Sequence, residues 1–282
     1  MIICRDIYKS FDEKPVLSGI DLEVSDGMIF GLLGPSGAGK TTLIKILTGQ
    51  LKADSGKACI LNKNVNELTG DDRKKIGIMM DSFGVYERLS CRDNLKIYAD
   101  IFDINEKRIN DILRLVCLEE AAKRPARNLS KGMLARLQIA RAFLQDPKVL
   151  FLDEPTSGLD PTSMRSIHKI ILEKKKEGCT IFLSTHNMEE AAVLSDKVAL
   201  LNEGKIVESG EPKEICRKYN HQKKILIHLS TGDDIELPQN PDSSEKIKKY
   251  MDTGKVETIH SSEPSLETVF LELTGRKIEE SA

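Results

Sequence analysis

Residues 34–41 read GPSGAGKT and match the pattern G-x-x-x-x-G-K-[ST], which constrains the fold of this chain more than any other feature. The run MIFGLLG before the loop is almost continuously apolar and predicts a strand buried on both faces. The run KTTLIKILTG after it predicts a helix that ends near Gly49. A glycine-rich loop between a buried strand and a helix presents backbone N–H groups to phosphate, so the pattern predicts a nucleotide site.

Every residue of this loop is a candidate for nucleotide binding. Lys40 is expected to reach the β- and γ-phosphates and is therefore also a catalytic candidate, while the Thr41 hydroxyl is expected to bind Mg²⁺. The candidate set is Gly34, Pro35, Ser36, Gly37, Ala38, Gly39, Lys40, Thr41 and Thr42.

The bulk composition excludes several classes of protein. Lys and Arg number 42 and Asp and Glu 44, a net charge of -2, which argues against a dedicated nucleic-acid-binding protein. The six cysteines form no C-x-x-C pair, so neither a zinc site nor a disulfide framework is predicted, and a reducing cytosolic compartment fits best. No apolar run approaches the roughly 18 residues needed to span a bilayer. We therefore expect a soluble protein that reaches a membrane only through a partner.

Strands and helices alternate along most of the chain, which predicts an α/β fold with a mainly parallel sheet. The segment 1–27 predicts antiparallel β-structure. KVLFLDEP and TIFLST predict two further buried strands, and Asp160 with Pro161 predicts the start of the helix between them. KVALLNEGKIVESG predicts a hairpin.

Two regions stand apart from this alternation. Residues 86–127 predict a separate helical subdomain, in which Ser90 can cap the first helix and an apolar stripe at helical spacing, Ile109, Ile112, Leu113 and Val116, follows. Composition changes near Glu211, and the segment from Ile215 onward predicts a small α+β appendage with a hairpin, a helix, a strand and a last helix ending at Gly275. The predicted domains are therefore 1–214 and 215–282.

Asp153 and Glu154 end the strand VLFLD, as expected for the second metal-contacting element of a P-loop NTPase. The pleat of a strand turns adjacent side chains to opposite sides, so the two acids need not share one role. We expect Asp153 to hold Mg²⁺ and Glu154 to polarise the attacking water.

A second candidate anion site opens the helix that follows Leu129. Ser130-Lys131-Gly132 precedes a long apolar-periodic helix, where free backbone N–H groups and the helix dipole converge. A GTPase would carry N-K-x-D, but residues 62–65 read NKNV, and a small-molecule kinase would not be expected to carry this helix opening. Taken with the order of the other motifs, the segment 1–210 resembles the nucleotide-binding subunit of an ATP-binding cassette transporter.

In that family the second helix opening is the signature, usually L-S-G-G-Q, and here it reads LSKGM. The resemblance implies that Ser130 and the Gly132 N–H bind the γ-phosphate of an ATP held by another subunit. Two ATP molecules would then lie between two cassettes in a head-to-tail dimer.

Three further segments take their expected roles from the same resemblance. Phe11 corresponds to an aromatic residue that stacks on adenine, and Ser157-Gly158-Leu159-Asp160 to a loop that links the two sites of a dimer. His186 corresponds to the switch histidine, which would hydrogen-bond the γ-phosphate and help to hold Glu154 and the water.

One position departs from the family pattern. After IGIMM the family usually has a glutamine that contacts Mg²⁺ and communicates with the transmembrane subunit, whereas this chain has Asp81. An aspartate can meet Mg²⁺, but without the metal it would repel the γ-phosphate. We expect Asp81 to keep the coupling role with a stronger requirement for the metal.

The resemblance implies a separate integral membrane permease and peripheral association with the cytoplasmic face of the membrane through it. The segment 263–276, EPSLETVFLELTGR, is similar to the C-terminal part of cassettes that serve drug, antibiotic and bacteriocin exporters, which favours export over import. The alternative is a non-transport or regulatory cassette ATPase. Homodimers and heterodimers remain equally open.

Overall fold

The computed structural model describes residues 1–80, 84–221 and 223–275. The chain divides into two compact units, residues 1–211 and residues 212–277. This division falls just before the helix that begins at Pro212, three residues ahead of the predicted boundary.

The first unit contains two sheets and seven α-helices among its described residues. Its strands are β1 (Ile2–Phe11), β2 (Lys14–Val24), β3 (Ile29–Leu33), β4 (Ser55–Ile60), β5 (Lys63–Asn64), β6 (Ile76–Met79), β7 (Val149–Asp153), β8 (Thr180–Thr185), β9 (Lys197–Asn202) and β10 (Lys205–Gly210). Its helices are α1 (Lys40–Leu47), α2 (Gly70–Arg73), α3 (Cys91–Phe102), α4 (Glu106–Leu115), α5 (Lys131–Phe143), α6 (Pro161–Lys176) and α7 (Met188–Leu194).

The larger sheet has the strand order β10-β9-β3-β8-β7-β6 and is parallel except for its edge strand β10. The smaller sheet has the order β2-β1-β4-β5 and is antiparallel. The predicted fold class, with a mainly parallel sheet, an N-terminal antiparallel sheet and a helical region, is therefore confirmed.

Two cores cover the two faces of the parallel sheet. Residues that alternate along its central strands enter different cores: Phe151 and Phe182 pack with β1, β2 and α1, whereas Leu152 and Leu183 pack with α3, α4 and α5. This double burial explains why the central strands are continuously apolar rather than alternating. The parallel strands end at one edge of the sheet, where loops are free to carry functional residues.

The predicted helical region contains α3 and α4. The Ser90 hydroxyl accepts from the Asp93 N–H at 3.1 Å and caps α3, as predicted. Ile109 and Ile112, from the apolar stripe that predicted α4, are about 1% exposed. The sequence pattern does not predict β4 and β5, since β4 (SGKACI) begins with three residues that carry no strand signal and β5 has only two residues.

The second unit contains α8 (Pro212–Lys218), β11 (Lys224–Leu229), β12 (Asp234–Pro238), α9 (Ser243–Asp252), β13 (Val256–Ser261) and α10 (Leu266–Thr274). Its antiparallel sheet has the order β12-β11-β13, and Ile227, Leu229 and Leu237 form a small core with side chains of α9. In the described parts of both units, no helix is both long enough and apolar enough to cross a bilayer.

Candidate active site

The loop between β3 and α1 is shaped by two glycines that neighbouring backbone requires. A Cβ at Gly34 would lie 2.3 Å from the carbonyl oxygen of Leu201, and one at Gly39 would lie 2.9 Å from the carbonyl oxygen of Val16. Gly39 also has φ of +109°, which side chains rarely adopt. Because β2 and β9 pack against this loop, the surrounding tertiary structure fixes its conformation.

Lys40 begins α1 and is almost fully buried, with 6% exposure. Its ammonium donates to the carbonyl oxygens of Gly34 at 2.7 Å and Pro35 at 3.2 Å. The same Nζ lies 3.2 Å from Oε1 of Glu154. The positive charge is therefore fixed under the loop and faces the end of β7.

Asp153 is the last residue of β7 and is 4% exposed. Its Oδ2 accepts from the Thr41 hydroxyl at 2.7 Å, and its Oδ1 accepts from the Ser184 hydroxyl. Ser184 is directly paired with Asp153 in the parallel register of β7 and β8. Sequence reasoning missed Ser184, because the pairing of β7 with β8 is not visible in the linear order of residues.

Glu154 follows directly and points to different partners. Its φ of +51° places it in the left-handed region, which is uncommon for glutamate and costs about 1 kcal/mol or more. Its N–H donates to the Ser184 carbonyl at 3.0 Å, and its Oε2 lies 2.8 Å from Nδ1 of His186. Glu154 thus lies between the Lys40 ammonium and the His186 ring.

A cavity of about 320 Å³ lies in front of this cluster. Its described lining consists of loop residues, the catalytic candidate Glu154 and one residue that sequence reasoning missed: Pro35, Ser36, Gly37, Gly39, Lys40, Thr41, Thr42, Glu154 and Val16. Val16 carries no polar signal and is placed here by β2. Ala38 is buried at 5% exposure and Gly34 packs against Leu201, so both shape the loop rather than line the cavity.

Phe11 lies outside this lining. It ends β1, is 45% exposed, and has the Lys9 ammonium 5.3 Å from its ring centroid. Its predicted stacking on adenine would be a contact with the nucleotide alone, so it stays a prediction.

Ser130 caps α5 by accepting from the Met133 N–H at 3.2 Å, and its own side chain is exposed. Within one chain, neither Ser130 nor Gly132 is part of the described lining of the cavity. Gly132 is buried, and a Cβ there would lie 2.3 Å from Oγ of Ser163. The first turn of α5 thus packs tightly against the first turn of α6, which Asp160 caps by accepting from the Ser163 N–H at 3.0 Å.

Asp81 lies outside the described residues, so its expected metal contact stays a prediction. Among the residues that are described, no cluster of three His, Cys, Asp or Glu side chains could hold a metal by itself. Thr41 and Asp153 are the predicted metal ligands that the structure describes, and their side-chain oxygens lie 2.7 Å apart.

A second cavity, of about 480 Å³, lies where β6 meets α3 and α5. Ile78, Tyr98 and Phe102 give it an apolar wall, and Arg141 and Gln145 add polar groups. The Arg141 guanidinium donates to the Ile78 carbonyl at 3.1 Å and lies over the Tyr98 ring. Oε1 of Gln145 is buried and has no hydrogen-bond partner among the described residues, so this groove offers one unused acceptor.

Comparison with known proteins agrees with this geometry. The profile of the family described as ABC transporter matches residues 17–157, half of the 282-residue chain. The fluoroquinolones export ATP-binding protein of Mycobacterium tuberculosis is 37% identical over 94% of this chain and 89% of its own length. The lantibiotic transport ATP-binding protein of Streptococcus pyogenes is 36% identical over 73% of this chain and 89% of its own length.

The fold is also similar to a solved ATP-binding cassette, described as a dimer in a post-hydrolysis state bound to ADP and Pi. That structure is 25% identical, with a TM-score of 0.68 over 75% of this chain and 98% of its own length. The chain therefore belongs to the ABC transporter family, as an ATP-hydrolysing ATP-binding subunit.

Proposed function

We propose that this chain drives export of antimicrobial or drug-like compounds by hydrolysing Mg²⁺-ATP in a dimer bound to a separate membrane permease. The observation that carries the proposal is the convergence of Lys40, Asp153, Glu154 and His186 at the P-loop cavity. These residues come from α1, β7 and the end of β8, so only the folded sheet brings them together.

The P-loop supports binding of the triphosphate. Its backbone N–H groups and the N-terminus of α1 favour negative charge, and Lys40 supplies a fixed positive charge beside the cavity. Val16 offers an apolar contact in the lining of the cavity, and the exposed Phe11 ring is free to stack on a base.

The donor set fits Mg²⁺. This ion prefers oxygen ligands and usually keeps several waters. Its other ligands are commonly one or two carboxylates and the substrate phosphates. Thr41 and Asp153 supply a hydroxyl and a carboxylate 2.7 Å apart, and Ser184 orients the carboxylate from its other oxygen. Bound Mg²⁺ neutralises charge on the phosphate oxygens.

Glu154 is the proposed general base. A water proton would pass to its carboxylate as the water oxygen bonds to the γ-phosphorus and the bond to the ADP oxygen breaks, leaving phosphate. His186, 2.8 Å from Oε2, orients this carboxylate and would hydrogen-bond the γ-phosphate. Glu154 lines the cavity whereas Asp153 pairs with the Thr41 hydroxyl at the proposed Mg²⁺ site, so Glu154 is the acid placed to accept the proton.

The proposed dimer completes each site. Ser130 is exposed at the start of α5 and is not part of the described lining of its own chain's cavity. Its hydroxyl accepts from the Met133 N–H and still has a hydrogen to donate, so it suits a phosphate held by a second copy or a related chain. The Ser157–Asp160 loop starts α6 next to this turn and would meet the partner across the same interface.

The groove beside β6 is the proposed docking site for the permease. Its apolar wall and the Arg141 guanidinium suit a short amphipathic helix with an acidic side chain. Such a contact would place the chain at the cytoplasmic face of the membrane.

The proposed cargo class rests on the similarity to these relatives. A fluoroquinolone exporter and a lantibiotic transporter both handle antimicrobial compounds, one a synthetic drug and the other a peptide. The second unit is proposed as an accessory domain of this exporter type.

Replacing the proposed base tests the mechanism. Glu154→Gln should bind Mg²⁺-ATP and form an ATP-stabilised dimer while phosphate release falls at least about 100-fold, since general-base catalysis contributes that much. Lys40→Ala should instead weaken ATP binding, and the exposed Lys169→Ala serves as its matched control. Light scattering with ATP and a phosphate-release assay measure the two effects. Turnover at the wild-type rate in Glu154→Gln would remove Glu154 from this role.

A further inference from the structure

Glu190 on α7 is a buried carboxylate that the mechanism above does not use. Its side chain is 0% exposed and receives three side-chain hydrogen bonds. Thr156 donates to Oε1 at 2.6 Å, Thr185 donates to Oε2 at 2.9 Å, and Nε2 of His168 lies 3.0 Å from Oε1. A carboxylate is almost never buried this completely unless such partners hold it, so its position is strongly specified.

Two of these partners flank the Glu154–His186 pair. Thr156 follows Glu154 by two residues, and Thr185 directly precedes His186. The Glu190 carboxylate therefore links two segments. One follows β7 and carries the proposed base, and the other is the end of β8, directly before the orienting histidine. Both threonines are at most 4% exposed, so water does not offer these hydroxyls an alternative partner.

The third partner leads toward the dimer surface. His168 lies on α6, whose first turn contains Ser163. Ser163 is the residue against which Gly132 of the signature turn packs. One side chain thus connects the base segment, the histidine segment and the helix that begins at the proposed interface.

We propose that Glu190 is a positioning residue. It fixes the positions of Glu154 and His186 relative to α6, and therefore relative to the signature turn that would face the partner in the proposed dimer. This inference rests on the roles proposed above for Glu154 and His186. The Glu190 side chain is fully buried and is not part of the described lining of the P-loop cavity, so it acts through the Thr156 and Thr185 hydroxyls.

The chemistry explains why a carboxylate is needed. Two oxygens with about four lone pairs accept all three donors, whereas a glutamine has one acceptor oxygen and turns an NH₂ group toward at least one of them. Glu190→Gln keeps the size of the side chain and disturbs this network with little change in packing. A loose network lets Glu154 shift relative to the phosphate, and misplacement of about 1 Å can cost roughly 100-fold in rate.

The test compares Glu190→Gln with Glu189→Gln, its exposed neighbour on the same helix. We expect kcat for ATP hydrolysis to fall roughly ten- to hundredfold in Glu190→Gln, because the base is misplaced. KM should change by no more than about twofold, because the P-loop contacts stay intact. Glu189→Gln should match the wild type in both. Thr156→Val and Thr185→Val should each lower kcat, and each should cost less when Glu190→Gln is already present.

Several outcomes would overturn the inference. They are a wild-type kcat in Glu190→Gln, a rise in KM without a fall in kcat, or a fall in kcat that matches the loss of folded protein by circular dichroism. Glu154→Gln is assayed alongside: if it turns over normally, the proposed function has failed, whereas if only Glu190→Gln turns over normally, the positioning role alone has failed. Additive effects of the threonine variants would also contradict action through these hydroxyls.

Discussion

Gly132→Ala should destabilise the first unit even without nucleotide, because of a contact within one chain. The new methyl carbon would lie 2.3 Å from Oγ and 2.8 Å from Cβ of Ser163. The hydroxyl can rotate away, but it then loses its 2.6 Å hydrogen bond to Asp160, worth about 1 kcal/mol. The Cβ moves only with α6, so the two helix starts must separate.

The expected size of this effect follows from opposing terms. Overpacking of this kind costs about 1–3 kcal/mol, and the lost hydrogen bond adds about 1 kcal/mol. Alanine is a better helix former than glycine by up to about 1 kcal/mol. The net loss is therefore about 1–3 kcal/mol, which corresponds to a fall in Tm of roughly 2–4 °C per kcal/mol for a unit of this size.

The assay is thermal unfolding of Gly132→Ala in the wild-type and Ser163→Gly backgrounds. Ser163→Gly removes both clashing atoms, so Gly132→Ala should be neutral or slightly stabilising in that background. An unchanged Tm for Gly132→Ala alone, or an equal loss in both backgrounds, would refute the steric reasoning. ATPase activity of the double variant then shows whether phosphate binding makes a further demand on this glycine.

Two other predictions concern titratable groups. Hydrogen bonds from the Lys63 ammonium, and then from Thr69, hold the pKa of Asp72 well below its ordinary value of 3.8, so this carboxylate stabilises the fold above about pH 4 and that contribution is lost as the pH falls further. Asp72→Asn should accordingly lower the Tm at pH 7, and the difference from the wild type should shrink below pH 4; a difference that does not change with pH would contradict this. Burial raises the pKa of the Cys4 and Cys179 thiols to about 12, whereas Cys117 is exposed. After treatment with N-ethylmaleimide at pH 7.5, mass spectrometry should therefore find Cys117 modified first, and Cys4 and Cys179 modified only after unfolding. Early labelling of Cys179 in the native protein would contradict the burial argument.

The sequence alone determined the parts of this protein that local rules govern. The loop at residues 34–41 required a strand before it and a helix after it, and both are present. Caps such as Ser90, Ser130 and Asp160 lie where side-chain oxygens were expected to meet free N–H groups. Apolar periodicity identified the buried strands and α4, because a residue's neighbours along a helix or strand follow from its position in the chain.

Only the tertiary structure decided which distant residues touch. Asp153 meets Ser184, and Glu190 meets Thr156 and His168, because β8 lies between β3 and β7 in the sheet. Strand order follows from how two cores and their connections pack together, and no local pattern encodes it. The apolar Val16 reaches the nucleotide cavity because the backbone of β2 packs against the P-loop. No pattern in the sequence indicates this contact.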